Sequence, residues 1–200
     1  MILPKRSTPT RRRPTIHYHI IRTTALLLPM PPTSSHPPAT NPSSPPSSSL
    51  PYLPSYPTQP WPHSRHFKIQ YGELDVLNHL NHAVYFRFME TLRCEYYLGL
   101  RHTTDPTGLD IIIAEARCRY LAPVQYATEL VGEVAPARPI GRTSFALLYR
   151  FSDEQQRLVT ARGHTAIVTY DYSKGSKKPI PDAVRPALER DAVDPKAEGW

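Results

Sequence analysis

Residues 70–85 have the sequence QYGELDVLNHLNHAVY, which joins a strand-like run to a helix-like run and carries Asp75 in the polar turn between them. The β-prone run covers His66 to Tyr71, and a bulky helix is predicted to begin within seven residues of the acid. A carboxylate is thereby placed beside a helix N-terminus, where free backbone N–H groups and the helix dipole stabilise negative charge. Such a pairing favours acyl transfer or hydrolysis.

The helix is predicted to run from His82 to about Leu98, with Asn81 as its N-cap and Gly99 at its C-terminal stop. Apolar side chains recur at helical spacing and form one stripe, which comprises Tyr85, Phe88, Met89, Leu92 and Tyr96. The stripe predicts a helix with one buried face.

Strand-like segments dominate the rest of the chain. Four runs follow the helix: Asp110–Tyr120, Thr128–Ala137, Thr143–Phe151 and Arg157–Asp171. Turn-like residues at 139–142 and 152–156 separate the last three, which predicts hairpins. One strand, a long helix and four antiparallel strands make an α+β pattern. A short helix is expected over Asp182–Arg190, and residues 191–200 are expected to form a frayed C-terminus.

The first 60 residues differ in composition from the remainder. They hold 15 Pro, 9 Ser and 8 Thr, six Lys or Arg, and no acid. Residues 61–200 hold all 17 acids and 18 Lys or Arg, so the basic character belongs to the tail and gives no support for nucleic-acid binding by the folded part. The tail is predicted to be disordered, and residues 61–190 are predicted to form one domain.

The tail also has the composition of a targeting segment. Basic, hydroxylated and acid-free residues among its first thirty are typical of an organelle transit peptide. Mitochondrion is the expected compartment, with a plastid or the cytoplasm as alternatives, and a Pro/Ser-rich linker without an address is the plainer interpretation. The apolar run Ala25–Leu28 is too short to span a bilayer.

The motif Y-x-E-x-D-x-x-x-H-x-N, followed by Tyr85 and an aromatic-rich helix, resembles the opening of hotdog-fold acyl-CoA thioesterases of the 4-hydroxybenzoyl-CoA thioesterase type. The resemblance extends over Phe67–Asp171 and includes EARCRYLAPV at residues 115–124, which is similar to that family's second strand. The chain departs from the family at Asn78, where Gly is usual, and at His82, where Asn is usual. The resemblance implies a hotdog fold, in which a mainly antiparallel five-stranded sheet wraps a long helix.

The resemblance also implies an activity, the hydrolysis of acyl-CoA or acyl-carrier-protein thioesters without a cofactor or metal. Asp75 is the expected nucleophile or general base, and the two roles stay open. The oxyanion donor is expected to be a backbone N–H in the first helical turn, most closely that of His82. His79 and Asn81 are expected to support the loop, and the family implies a homodimer or homotetramer.

Weaker substrate-binding candidates lie elsewhere in the chain. Tyr85 is a candidate pocket residue, and a basic side chain could meet the CoA phosphates electrostatically. The basic candidates are Arg142, Lys174, Lys177 and Lys178, for which a solvated turn is the plainer interpretation.

Two other functions remain open on the same fold. The first is an enoyl-thioester hydratase or dehydratase, although Asp75 and His79 are four apart, whereas such relatives have acid and His five apart. The second is a non-catalytic protein that binds acyl thioesters. The sequence lacks G-x-S-x-G, dinucleotide and P-loop motifs, H-E-x-x-H and C-x-x-C, and Cys94 and Cys118 are predicted to be reduced thiols.

Overall fold

A computed structural model of the chain describes residues 60–200. The predicted disordered tail and transit peptide lie outside the described residues, apart from Pro60. Among residues 60–200, no helix is long and apolar enough to cross a membrane.

The described residues form six strands, two α-helices and two short 3-10 turns. The strands are β1 (His63–Lys68), β2 (Ile111–Tyr120), β3 (Glu129–Ala137), β4 (Ser144–Asp153), β5 (Leu158–Asp171) and β6 (Ser176–Lys177). The helices are α1 (His82–Leu100) and α2 (Arg185–Asp191), and the 3-10 turns cover Tyr71–Glu73 and Pro106–Gly108.

The strands form one antiparallel sheet in the order β1-β3-β4-β5-β2, with β6 paired to the end of β5. Helix α1 packs against one face, and side chains such as Leu92 and Phe151 are fully buried between them. The predicted α+β class and hotdog architecture are confirmed. The short strand β6 was not predicted, because a two-residue hairpin arm has no periodicity to detect.

Helix α1 buries the stripe that its sequence predicts. Tyr85, Phe88, Met89, Leu92 and Tyr96 are all buried against the sheet. The side chain of Asn81 accepts a hydrogen bond from the Ala83 N–H and satisfies one of the free amides at the helix start. The predicted cap and apolar face are confirmed.

Two glycines let the sheet approach the helix closely. A Cβ atom on Gly163 would lie 2.6 Å from the Met89 sulfur and 3.2 Å from the Tyr149 Cβ. On Gly132 it would lie 2.7 Å from a ring carbon of Phe67 and 3.0 Å from Leu92 Cδ1. Since packed interiors leave little room for relaxation, these two positions set the distance between helix and sheet.

Gly163→Ala is therefore expected to destabilise the fold by about 1–3 kcal/mol, because overpacking displaces Met89 and the helix above it. Equilibrium urea unfolding measures the loss. Gly72→Ala is the matched control, since no atom lies within 4 Å of the Cβ it would add. Equal stability of the Gly163→Ala variant and the control would contradict this packing argument.

Strand β1 differs from the predicted run at both ends. It begins at His63, which pairs with Val134, and it ends at Lys68, which pairs with Glu129. The chain then leaves the sheet because Gln70 and Glu73 cap the following 3-10 turn. The Gln70 N–H donates to the Glu73 carboxylate at 2.9 Å, so the backbone bonds are satisfied locally.

The C-terminal segment also differs from its prediction. Helix α2 begins at Arg185 because residues 181–184 form a turn, in which the Val184 N–H donates to Pro181 O at 2.9 Å. Residues 191–200 were expected to be frayed, but Val193 exchanges 2.9 Å backbone bonds with Pro136 and Arg138. The backbone groups of Pro136 and Arg138 are available to Val193 because β1 pairs with β3 only as far as Val134.

A buried ion pair lies on the sheet face opposite α1. Arg150 donates to Glu133 through Nε at 2.7 Å and Nη2 at 3.0 Å, and both side chains are 7% exposed. The backbone N–H of Trp61 donates to the same carboxylate at 3.0 Å. The centroid of the Trp61 ring lies 4.4 Å from the Arg150 guanidinium carbon. The residues just before β1 therefore cover this pair.

Candidate active site

The loop that carries Asp75 is closed by its own backbone. The Asp75 N–H donates to His79 O at 2.8 Å, and the Asn78 N–H donates to Asp75 O at 3.1 Å. On either side, Leu74 and Leu80 form an isolated antiparallel bridge. The position of the acid is thus fixed by local hydrogen bonds.

Asn78 adopts a left-handed conformation, with φ of 59°. Glycine and asparagine are the residues that adopt this region most readily. The departure from the family's usual glycine is therefore accommodated by the backbone, and the turn keeps its shape.

The Asp75 carboxylate uses only one oxygen to hold the turn. Its Oδ1 accepts the Leu77 N–H at 2.8 Å and the His79 N–H at 3.3 Å. Within residues 60–200, no hydrogen bond to Oδ2 is found. The side chain is half-buried and lines a cavity, so one oxygen has a structural role and the other is available to a ligand.

The amides that start α1 have different partners. The Asn81 N–H donates to Glu73 O, the Ala83 N–H donates to the Asn81 side chain, and the Val84 N–H donates to Asn81 O, each at 2.9 Å. Among the described residues, the His82 N–H has no acceptor. The amide expected to act as the oxyanion donor is therefore the one left unbonded.

Asp75 and His82 line the same cavity, which has a volume of about 310 Å³. His79 and Tyr85 also line it, so four of the residues predicted for the site lie together. Asn81 does not line the cavity, since its side chain caps the helix. The far wall consists of residues 120–124, where β2 ends.

Tyr120 also lines this cavity, although no sequence pattern indicated it as a site residue. Its hydroxyl donates to His82 O at 3.1 Å, and its ring centroid lies 5.3 Å from that of Tyr85. Burial raises the pKa of Tyr120 to about 12, with a smaller contribution from Cys118, so the hydroxyl stays protonated and can donate. The alternation of side chains along β2 is a sequence signal that could predict Tyr120 on the face that contacts the helix. Its contact with His82 could not be predicted in this way, because it depends on tertiary structure.

The basic substrate-binding candidates lie elsewhere in the chain. Lys174 and Lys177 are exposed at the β5–β6 hairpin, beyond the end of β5 that pairs with Ile111. Tyr120 is nine residues along β2 from Ile111, which corresponds to about 30 Å. Arg142 is exposed in the β3–β4 turn. Within one chain, these side chains do not meet the cavity that Asp75 lines.

Lys178 belongs to a partly buried cluster around Asp110. Its amine lies 2.8 Å from Asp110 Oδ2, and Tyr97 and Arg101 contact the same carboxylate at 2.8 Å and 2.6 Å. Burial alone would raise the pKa of Asp110, but the hydrogen bonds from Lys178 and Tyr97 and the charge of Arg101 outweigh it and lower that pKa. Lys178 therefore has a structural partner.

Cys94 and Cys118 are both free thiols in the structure, as predicted. Burial raises the pKa of Cys118 to about 11, which keeps this thiol protonated and unreactive at neutral pH. In the part of the chain that the structure describes, no group of three or more His, Cys, Asp or Glu side chains is placed to hold a metal ion.

The chain is similar to proteins described as thioesterases. A sequence profile of the Thioesterase-like superfamily matches residues 69–188, more than half of the chain. A predicted thioesterase from Bacillus stearothermophilus superposes with a TM-score of 0.61 at 20% identity, over 66% of this chain and 97% of that one. A thioesterase from Thermus thermophilus, complexed with coenzyme A and Zn, is 25% identical over 64% of this chain and 98% of its own, with a TM-score of 0.56.

A putative thioesterase from Pseudomonas aeruginosa is also 25% identical, over 63% of this chain and 97% of its own, with a TM-score of 0.57. No curated protein matches the chain in sequence. The profile match includes α1 and strands β2 to β5, and with them Asp75 and His82.

Proposed function

The chain belongs to the thioesterase-like superfamily, and on that premise we propose that it hydrolyses acyl-CoA thioesters to a free acid and coenzyme A. The main support is that the Asp75 carboxylate, with one unbonded oxygen, and the unbonded His82 amide line one cavity. The thioesterase complexed with coenzyme A supports CoA as the thiol, with an acyl carrier protein as the alternative.

Asp75 can act by either of two routes. As a general base, it takes a proton from water while the water oxygen attacks the thioester carbon; the C–S bond then breaks and the thiolate is protonated. As a nucleophile, it attacks that carbon directly and expels the thiolate, and water hydrolyses the resulting mixed anhydride. Both routes need an unpaired carboxylate oxygen, which Oδ2 supplies.

The His82 N–H stabilises the oxyanion that forms on the thioester oxygen in both routes. Negative charge develops on the thioester oxygen, and a fixed amide donor at a helix N-terminus can lower the barrier by about 3 kcal/mol. Since the donor is a backbone group, the His at position 82 supplies it as well as the Asn usual in the family. Tyr120 holds the same residue by its carbonyl, at 3.1 Å.

The cavity suits a short or aromatic acyl group. Its volume of about 310 Å³ is at the lower end for small-molecule sites, and the side chains of Tyr85 and Tyr120 line it. Aromatic rings favour planar apolar groups through stacked or edge contacts. An aryl thioester of the 4-hydroxybenzoyl-CoA type is the substrate we propose, in preference to a long-chain acyl group.

Thiol release from a panel of acyl-CoAs tests this function. We expect benzoyl-CoA and 4-hydroxybenzoyl-CoA to be hydrolysed with a higher kcat/KM than palmitoyl-CoA. No thiol release from any thioester, despite measurable binding, would contradict hydrolysis and favour a non-catalytic binding protein. Hydration of a 2-enoyl-CoA without thiol release would instead identify a hydratase.

We further propose that the protein is at least dimeric through the free edge of β2. This ten-residue strand is at the edge of the sheet and is mostly exposed, including Ile113 at 41% and Tyr120 at 44%. A long edge strand with unpaired backbone groups is a template for pairing with another strand. Antiparallel pairing of β2 with a second copy is self-complementary and continues the sheet.

This pairing brings the distant lysines towards the active site. If the two β2 strands pair about their centres, Tyr120 of one subunit lies opposite Ile111 of the other. The β5–β6 hairpin, which adjoins the Ile111 end, would then place Lys174 and Lys177 of the partner subunit near the cavity. Their positive charge would suit the phosphates of CoA.

Size-exclusion chromatography with light scattering tests the dimer, and we expect twice the 22.7 kDa chain mass for the full chain. Ile113→Pro, which removes a backbone donor in β2, is expected to shift the protein towards monomer. The exposed Tyr126→Pro change, in the turn before β3, serves as a control for the proline itself, because the Tyr126 N–H makes no hydrogen bond within residues 60–200. A monomer that still hydrolyses thioesters would refute the dimer while leaving the hydrolase proposal intact.

A further inference from the structure

A second cavity lies on the sheet face opposite α1, under the C-terminal segment. Its volume is about 520 Å³, and it is lined by residues of β2, β4 and β5, by residues 137–139 at the end of β3, and by Pro195, Gly199 and Trp200. Asp75 and His82 do not line it. The cavity is therefore separate from the candidate active site, and its size is within the range of small-molecule sites.

Positive charge is concentrated around this cavity. Arg117, Arg119, Arg138 and Arg162 all line it, whereas the described lining residues include no Asp or Glu. Of the nearby carboxylates, Glu115 pairs with Arg117, and Glu198 lies 3.4 Å from Arg150. The positive charge of the four arginines that line the cavity thus exceeds the negative charge of the carboxylates close to them.

Two of the lining side chains have unused hydrogen-bonding capacity. The guanidinium of Arg119 is exposed and makes no hydrogen bond or ion pair within residues 60–200. The Nδ1 atom of His164 is buried and also has no partner among the described residues. Burial, and then the charge of Arg117, lower the pKa of His164, so its ring is neutral at pH 7.

The rest of the lining is apolar. Leu148, Ala146 and Ala137 form the floor, and the Trp200 ring, 39% exposed, lies 6.5 Å from the His164 ring between centroids. The C-terminal segment is held over this floor because Arg162 donates to the carbonyls of Glu198 and Gly199. The site thus combines an apolar body with a cationic rim.

We propose that this cavity binds an organic anion, with its carboxylate or phosphate among the arginines and its apolar body against Leu148 and Trp200. Arginine guanidinium groups recognise both anions through charge-assisted, often bidentate, hydrogen bonds. An inorganic ion is not expected to be the best ligand, because it would leave the apolar floor in contact with water.

Trp200 provides a direct signal for binding. The chain has two tryptophans, so a full-length Trp61→Phe protein reports on Trp200 alone. We expect octanoate and octyl phosphate to change the Trp200 fluorescence saturably. The anion that binds more tightly shows whether the site prefers a carboxylate or a phosphate. Octanol and inorganic phosphate are each expected to bind at least tenfold more weakly than the tighter anion. Equal affinity for octanol would overturn the proposal.

Matched variants locate the anion. Arg119→Gln breaks no internal contact and is expected to weaken binding of the tighter anion about tenfold, whereas Lys68→Gln, an exposed charge on β1, is expected to leave it unchanged. Ala146→Phe is expected to abolish binding by filling the cavity. Asp75→Asn is expected to bind normally, since Asp75 lines the other cavity. Unchanged affinity in Arg119→Gln and Ala146→Phe would overturn the proposal.

Discussion

Replacing Asp75 with asparagine is expected to lower kcat for thioester hydrolysis by at least 100-fold. The change removes both the base and the nucleophile, and general-base catalysis alone contributes about 100- to 10,000-fold. KM is expected to change little, because the lost interaction belongs to the transition state. Steady-state thiol release from the best acyl-CoA of the panel measures both constants.

The structure explains why this variant is informative. An asparagine Oδ1 can still accept the N–H groups of Leu77 and His79, so the turn keeps its hydrogen bonds. Asp105 provides a matched control, because it likewise accepts the N–H two residues on, from Thr107 at 2.9 Å. Asp105→Asn is expected to retain full activity. If Asp75→Asn kept more than a third of wild-type kcat, the acid would not be catalytic.

The largest expected loss of stability follows from removing Glu133. Glu133→Leu is expected to lower the free energy of unfolding by about 3–5 kcal/mol, because it leaves the Arg150 guanidinium buried without its main carboxylate. The Trp61 N–H also loses its acceptor. Chemical denaturation of the two proteins under the same conditions measures the difference.

Two comparisons separate this effect from a general loss of charge. Glu95→Leu removes a partly exposed carboxylate that pairs with Arg65 and His63, and it is expected to cost less than about 1 kcal/mol. The double variant Glu133→Leu, Arg150→Leu removes both buried charges and is expected to be more stable than Glu133→Leu alone. Equal losses for Glu133→Leu and Glu95→Leu would show that the pair is not effectively buried.

Local sequence patterns predicted the elements that hold the candidate active site. The spacing of apolar residues gave the buried face of α1, and Asn81 gave its start, because both signals arise within a few residues of chain. The acid at position 75 and its neighbouring helix N-terminus could be predicted for the same reason. Four of the five longer strands were found to within about two residues, since each has turn residues at its ends.

The features that were missed depend on residues distant in sequence. The Glu133–Arg150 pair requires the register between β3 and β4, and the contact of Tyr120 with His82 joins residues 38 apart. The position of Val193 depends on where β1 stops along β3. No local pattern encodes these relations. The roles of Asp75 and the His82 amide, and the compartment, stay predictions.

The position of Trp61 has a consequence for any cleavage near the start of the described residues. Its N–H and its ring both contact the Glu133–Arg150 pair. A maturation protease that cut before Pro60 would leave this cover in place, whereas one that cut after Trp61 would open a buried guanidinium to water. If the N-terminal residues are removed by a protease, a product that keeps Trp61 is therefore expected to be more stable than one that lacks it.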